Sequence, residues 1–409
     1  MIKKTLFIIC ILLVLLTTLS GCYDARGVEE LAYVTALGLD LSEKNILQLT
    51  LQISIPSSST SPDSDSSQSS QTDTITVECE SLNSGLALIN SYISKEIDLS
   101  HCKAIIISEN LAKSGLSPHI ETISNNIEIR PNCNIIITKC SAKDYIENSK
   151  PTIESLTARY YEVAVKSSEY TGYIPATKLI DFIGNISNNT VQASAILGNL
   201  NTFSSENLNS NSLLKSNNNY FAGETPSVTS EKNETLGTAV FHDDKLVGEL
   251  SGFETILHLI VSNKIDNCTI SVPNIFEDGS ITDLRIRKRH NTKINVDYKN
   301  NVPNISVEIF LEGYGLSLDK NINYDSKSQI DKINYTTEEF LKDELKKYLY
   351  KTSKELNSDI DGFGKKAIMQ YLTIDKWLES NWLENYKNSI FTINVHMNII
   401  GGNKFNQSP

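Results

Sequence analysis

Apolar side chains recur along this chain in two rhythms, every second residue and every third or fourth, and the changes of rhythm mark out its elements. Lys3 and Lys4 precede an uninterrupted apolar run from Leu6 to Leu16, about half of the roughly 20 residues that a membrane-spanning helix needs. Leu31 to Asp40 is an apolar, strand-like run, Ser42 to Asn45 a turn, and Leu47, Leu49, Leu51, Ile53 and Ile55 follow at period two. Together they predict an antiparallel hairpin with one buried face. The pattern stops at residues 57–74, which hold nine serines, three threonines, three aspartates and no apolar residue except Pro62. Such a tract buries too little to order itself and predicts a long mobile loop. Ile75 to Cys79 then resumes a strand.

From Ser81 the two rhythms alternate. Leu82, Leu86, Ile89, Ile93 and Ile97 share one face of a helix, Cys102 to Ile107 reads as a buried strand, residues 109–127 as helix broken at Pro118, and Asn134 to Thr138 as another strand. Helix and strand in turn predict a mixed α/β sheet with helices packed on it. Ile153, Leu156, Tyr160 and Val163 predict a helix over 153–165, and a short one follows through Leu179 to Ile183. Residues 201–235 are rich in Asn and Ser and poor in apolar residues, which marks a linker.

Beyond it, Leu236 to Phe241 and Lys245 to Leu250 flank His242-Asp243-Asp244 as a tight hairpin. Ser251 and Glu254 form a capping box for a helix through Ile260. Strands are expected at Cys268 to Val272, Ile281 to Ile286, Ile294 to Tyr298 and Ile305 to Leu311. A second capping box, Thr336 with Glu339, opens the longest helix, to about Leu356, with Leu341, Leu345, Tyr348, Thr352 and Leu356 on one stripe. A shorter helix carries Trp377, Leu378 and Trp382, and Ile390 to Ile400 is a final strand. The expected fold is α+β and multi-domain, with mixed and antiparallel sheets, packed helices and a long helix across an antiparallel sheet in the C-terminal domain. Its divisions are 1–21, an export segment; 22–200, an N-terminal α/β domain; 201–235, the linker; 236–401, a C-terminal α+β domain divisible in two; and 402–409, a tail.

Leu19-Ser20-Gly21-Cys22 changes the meaning of the first apolar run. A basic start, an apolar core and a small residue before cysteine make a lipoprotein signal, in which cleavage leaves the Cys22 thiol to carry a diacylglyceryl anchor. Removing Lys3 and Lys4 with the signal takes the formal charge from −12 to −14. A surface that acidic argues against nucleic acid or anionic lipid as a partner, since both need clustered positive charge; membrane attachment then falls to the lipid on Cys22. Cys79, Cys102, Cys133, Cys140 and Cys268 match no zinc or redox spacing. They read as buried thiols, with Cys102 and Cys133 the pair to examine for a disulfide.

No reactive constellation stands out. Gly362-Phe363-Gly364-Lys365-Lys366 has the materials of a phosphate cradle but neither the spacing nor the Ser or Thr after the lysine, and reads as a hinge between helices. Asp359 and Asp361 beside Gly362 lack the other oxygen ligands of a calcium loop and read as helix-terminating residues. His101, His119, His242, His258, His290 and His396 have no metal-ligand spacing, and no metal or cofactor is expected. Arg285, Arg287, Lys288, Arg289 and Lys293 form one basic cluster on alternating strand positions, a solvated face or a docking surface, as is the exposed side of the 336–356 helix.

Three blocks carry a family likeness. Cys22-Tyr23-Asp24 with Glu30 to Asp40, then Thr238 to Ser251 with Asn263-Lys264-Ile265, then Ser358 to Gly364 with Trp377 and Trp382, resemble in that order the Ger(x)C family, the C subunits of spore germinant receptors. Tyr23 stands where members usually carry tryptophan, and the serine tract is longer than typical. The resemblance implies a non-enzymatic lipoprotein on the outer face of the spore inner membrane, assembled with the A and B subunits of a nutrient receptor. It transfers only Cys22 as a functional position, and no catalytic residue or cofactor. The residues alone also fit a solute-binding lipoprotein, which should show a ligand cleft between two similar lobes, whereas the two halves here differ in pattern. A glycoside hydrolase needs two opposed carboxylates in a cleft, and no pair is singled out.

Overall fold

In the computed structural model of the chain the described residues are 2–18, 27–55, 71–151, 153–154, 156–204, 215–274, 276–277, 280–299, 301–316 and 326–402. Ile2–Thr18 is one helix, and among the described residues no helix is long and apolar enough to cross a membrane.

The first sheet begins with the expected hairpin, β1 (Leu31–Leu41) against β2 (Leu47–Ile55), and continues with β3 (Gln71–Cys79). Strand β3 thus starts inside the serine tract, because Gln71, Thr72, Asp73 and Thr74 pair with Ile55 to Gln52 of β2 and need no buried side chain to do so; residues 56–70 lie outside the described residues. On the other side of β1 come β4 (Glu96–Asp98), β5 (Ala104–Ser108), β6 (Asn134–Thr138) and β7 (Ser194–Leu200). Pairing from β1 through β7 is parallel. Strands β5 and β6 are buried along their whole length, as a parallel strand covered on both faces must be. Ile105, Ile107, Ile135 and Ile137 enter one core, while Ala104, Ile106 and Ile136 enter another on the opposite face.

The hairpin expected to open the second half completes this same sheet. Strand β8 (Asn233–His242) runs antiparallel to β7, and β9 (Lys245–Leu250) to β8. Residues 201–235 therefore join two neighbouring strands. Alternation along β8 explains why the hairpin belongs to both halves: Ala239 and Phe241 lie in the first core, and Val240 with Leu250 lies in the second. The turn needs no glycine, since Asp243 takes the left-handed conformation, at φ 52°.

The second sheet runs β10 (Asn267–Pro273), β11 (Ile281–Lys299), β12 (Val302–Gly315) and β13 (Ile390–Gly402). The two strands expected at 281–286 and 294–298 are one long β11, whose register slips between Lys288 and Lys293. The final strand pairs parallel to β12 rather than antiparallel, and parallel neighbours require a crossover. The long helix supplies it. This helix spans Lys327–Tyr350 and starts from Ser326, so Thr336 lies in its interior instead of capping it. Its buried stripe is Ile333, Thr337, Leu341, Leu345, Tyr348 and Leu349, and a π-helical stretch, Lys351–Glu355, follows. Strand β13 is an edge strand whose outer N–H groups need partners. The helix provides them: Glu338 accepts from the Met397 N–H at 2.8 Å and Asn334 from the Ile399 N–H at 2.9 Å.

Two further expectations are corrected. Pro118 does not break a helix but stands in the first turn of Ser117–Asn125; the break is at Gly115, with φ 118°. The helix expected over 153–165 is confined to Thr157–Ala164 and buries Thr157 and Tyr161, leaving Ile153 94% exposed, because the helix opens only at Leu156.

The shared hairpin carries a testable consequence. A fragment ending at residue 204 leaves β7 as an apolar edge and is expected to lack a cooperative thermal transition by circular dichroism. Extending it to residue 250 is expected to restore one. Equal transitions in both fragments would show that the sheet does not depend on the hairpin.

Candidate functional site: the acidic loop between the two sheets

Two stretches far apart in sequence, 238–251 and 358–364, meet where the sheets join. Ser358 donates its hydroxyl to the Phe241 carbonyl, His242 Nδ1 donates to the Asn357 carbonyl at 2.7 Å, and the Gln192 N–H reaches the Asp359 carbonyl at 2.9 Å. The loop is thereby stitched to β8 and to the segment leading into β7.

Asp359 is fully buried and holds the loop's shape. Its Oδ1 accepts from the Gly362 and Phe363 N–H groups at 2.8 and 3.0 Å, and its Oδ2 from Gly364 N–H at 2.8 Å and Trp382 Nε1–H at 3.0 Å. The N–H groups of Gly362, Phe363 and Gly364 do cradle an acidic group, but it is the chain's own Asp359 side chain. Gly362 permits the turn with φ 77°, a conformation costly for side-chain-bearing residues. At Gly364 a Cβ would collide with the Thr190 carbonyl and the Trp382 indole. Trp382 in turn stacks on Trp377 with ring centroids 5.8 Å apart, and Trp377 Nε1–H donates to Asn189 at 3.2 Å.

One turn away is a second buried group. His258 Nδ1 lies 2.8 Å from Asp361 Oδ1, and the Tyr348 hydroxyl lies 2.9 Å from both Asp361 oxygens. The side chains of His258 and Asp361 are 1% and 0% exposed. His258 reaches this place on the helix Gly252–Val261, whose start is fixed by the expected capping box: Ser251 Oγ accepts from Glu254 N–H and Glu254 accepts from Ser251 N–H. Glu254 also receives the Lys351 ammonium at 2.7 and 2.9 Å, pinning that helix to the π-helical stretch. An Asp–His pair is the orienting half of a nucleophilic triad. Here the His258 Nε2 is buried with no hydrogen-bond partner among the described residues, so none of those residues offers the pair a serine or cysteine to activate. Its chemistry is structural: removing one partner of this buried hydrogen bond leaves the other unmet, at a cost of about 1–3 kcal/mol.

The sequence reading missed this group. His258, Tyr348 and Asp361 are spread over 103 residues, and no spacing rule joins them. Other expected residues are placed as follows. Cys22 lies outside the described residues. Cys102 and Cys133 are buried free thiols just ahead of the neighbouring strands β5 and β6, with Cys133 Sγ 2.9 Å from the Cys102 carbonyl. Arg285, Arg287 and Arg289 alternate with buried Leu284 and Ile286 on β11, and Arg287 is paired to Glu312 at 2.7 Å and Lys293 to Glu308 at 3.3 Å. The long helix neutralises its own exposed face through Lys342–Glu339, Lys346–Asp343 and Lys347–Glu344. Among the described residues no group of three or more His, Cys, Asp or Glu side chains is arranged to hold a metal.

Comparison with known proteins rests on both halves. Residues 24–200 match the family described as spore germination protein N-terminal domain, and residues 236–402 match spore germination B3/GerAC like, C-terminal. The chain belongs to the GerAC family of spore germination proteins. Its relatives include the spore germination protein KC of Bacillus subtilis, 22% identical over 400 residues that cover 94% of this chain and 92% of that protein. The putative spore germination protein YfkR of the same organism is 21% identical over 159 residues, covering 38% of this chain and 41% of that protein. The crystal structure of the GerBC protein aligns with a TM-score of 0.48 at 17% identity, over 93% of this chain and 99% of that one. The two sequence blocks that carried the family likeness in the middle and near the end of the chain are those that meet at Asp359.

Asp359 provides a test of the junction. Burial pushes its carboxyl up from 3.8 to about 7, against the pull of its N–H donors. A carboxyl that holds its proton more tightly when folded contributes stability that is complete below about pH 4 and is lost as pH rises to about 7. Asp359→Asn puts an NH₂ donor against two N–H donors and is expected to cost about 2–4 kcal/mol. In denaturant unfolding the deficit relative to the parent should shrink between pH 4 and 7. A deficit that grows over that range would show that Asp359 is held ionised instead.

Proposed function

We propose that this GerAC-family chain is the lipid-anchored accessory subunit of a spore nutrient germinant receptor, tethered through Cys22 to the outer face of the spore inner membrane. The observation that carries the reading is the match of both family regions in order, together with a relative named for spore germination that aligns over nearly the whole chain. The Ile2–Thr18 helix followed by Gly21-Cys22 supports the anchor. In this reading the A and B subunits are its partners, and its role is non-enzymatic. The rigid junction between the sheets fits a part that transmits or scaffolds rather than reacts. The buried His258–Asp361 pair fits the same role, since solvent-borne substrate has no access to it.

Spores lacking this chain are expected to lose the response to one class of nutrient, measured as loss of refractility against amino acids, sugars and salts, while still responding to a non-nutrient trigger. Cys22→Ala is expected to release the protein from the membrane fraction with its fold intact and to weaken the same response. Normal germination together with normal membrane retention in that variant would refute the anchor. An unchanged response of the deletion strain to every nutrient would refute the receptor role.

A further inference from the structure

Beside the acidic loop lies a cleft of about 670 Å³ between the two sheets, walled by Asn185 and Ser194 from one half and by Lys264, Lys365, Lys366 and Met369 from the other. Of the four lysines that line the cleft, Lys293 is paired with Glu308 at 3.3 Å. Lys264, Lys365 and Lys366 are the other three. Among the described residues their ammonium groups have no ion-pair or hydrogen-bond partner. Two carboxylates are near Lys264, Asp181 and Asp361. Both oxygens of Asp361 are already engaged by Tyr348, and Oδ1 by His258 as well. Asp181 accepts the Lys178 N–H at 3.4 Å.

The same wall holds two more unsatisfied groups. Among the described residues Ser262 Oγ and Asn263 Oδ1 are buried atoms without a hydrogen-bond partner, each costing about 1–3 kcal/mol while unmet, and of the two only the Ser262 hydroxyl can donate to an anion. Lys264 is an exposed residue, yet burial around its ammonium and the like charge of nearby Lys365 pull that ammonium below the usual lysine range, a penalty that an adjacent anion relieves. The cleft also offers apolar surface from Val191, Val261 and Ile360. A few convergent polar groups over an apolar floor are what a small-molecule site presents.

We propose that this cleft binds a small molecule through an anionic head, a phosphate or a carboxylate, held by Lys264, Lys365 and Lys366. The backbone N–H groups of residues 362–364 take no part, because Asp359 occupies them. The site lies against both sheets, so an occupant stabilises their joint by mass action. The inference does not depend on the receptor reading.

The test is thermal unfolding of the full chain titrated with two probes: inorganic phosphate, and dibutyryl phosphatidylglycerol below its micelle concentration. Sodium chloride at matched ionic strength is the control. Lys365 and Lys366 are exposed, so Lys365→Gln with Lys366→Gln should fold normally; Lys342→Gln, on the long helix, is the control variant. A saturable rise in midpoint with either probe, weakened at least tenfold by the paired substitution and unchanged by Lys342→Gln, is the expected result. Response to phosphate assigns the site to free anions, and response to the lipid alone assigns it to headgroups. No saturable rise with either probe, or a rise that the paired substitution leaves intact, overturns the proposal.

Discussion

A carboxylate taken out of water costs several kcal/mol unless its lone pairs are met, and Asp359 is a fully buried case on which much of this molecule depends. Three of its donors are consecutive backbone N–H groups, at Gly362, Phe363 and Gly364, so the carboxylate dictates the path of the chain at that point. The fourth is the Trp382 indole, so the same group fixes an aromatic cluster. The backbone carbonyl of Asp359 then holds Gln192, just ahead of β7. One residue therefore connects loop conformation, aromatic packing and the first sheet.

The neighbouring contacts extend this dependence. Val240 and Leu250 of the hairpin enter the second core while Ala239 and Phe241 enter the first, so the two cores share a pair of strands. Separation of the halves would expose both sides of that hairpin and break the Ser358–Phe241 and His242–Asn357 bonds together. The buried Asp361–His258–Tyr348 group adds a polar tie between the loop, the capped helix and the long helix. Such ties add less stability than apolar packing of equal volume, yet they penalise any other arrangement of the same elements. That combination suits a scaffold whose surfaces must be presented in fixed relation.

Much of the local structure was legible in the sequence for a simple reason: a half-buried strand and an amphipathic helix leave periodic traces. Ile305 to Leu311 and the Ser251–Glu254 capping box read correctly, and Leu47 to Ile55 is a strand as expected but is buried on both faces, with Thr50 and Gln52 inside and Ile55 exposed. The failures share a cause as well. Thr336 and Glu339 have the spacing of a capping box yet lie inside a helix, because that spacing also arises wherever polar residues line an exposed face. Ile153 and Leu156 fit a helical stripe but stand ahead of the helix and largely in solvent. Strand β3 begins in a polar tract because edge pairing uses backbone groups, which no side-chain pattern records.

By itself the sequence determined that this is an acidic chain with mixed α and β elements and no spaced set of reactive residues, since composition and periodicity are local properties. It also carried the blocks that resemble the germination family. Only the tertiary structure decided that the 233–250 hairpin completes the first sheet, that β13 runs parallel to β12, and that His258, Tyr348 and Asp361 meet. Those outcomes depend on which faces find each other between segments as much as 103 residues apart. Pairing and packing between distant segments settle them, and one-dimensional spacing holds no record of either.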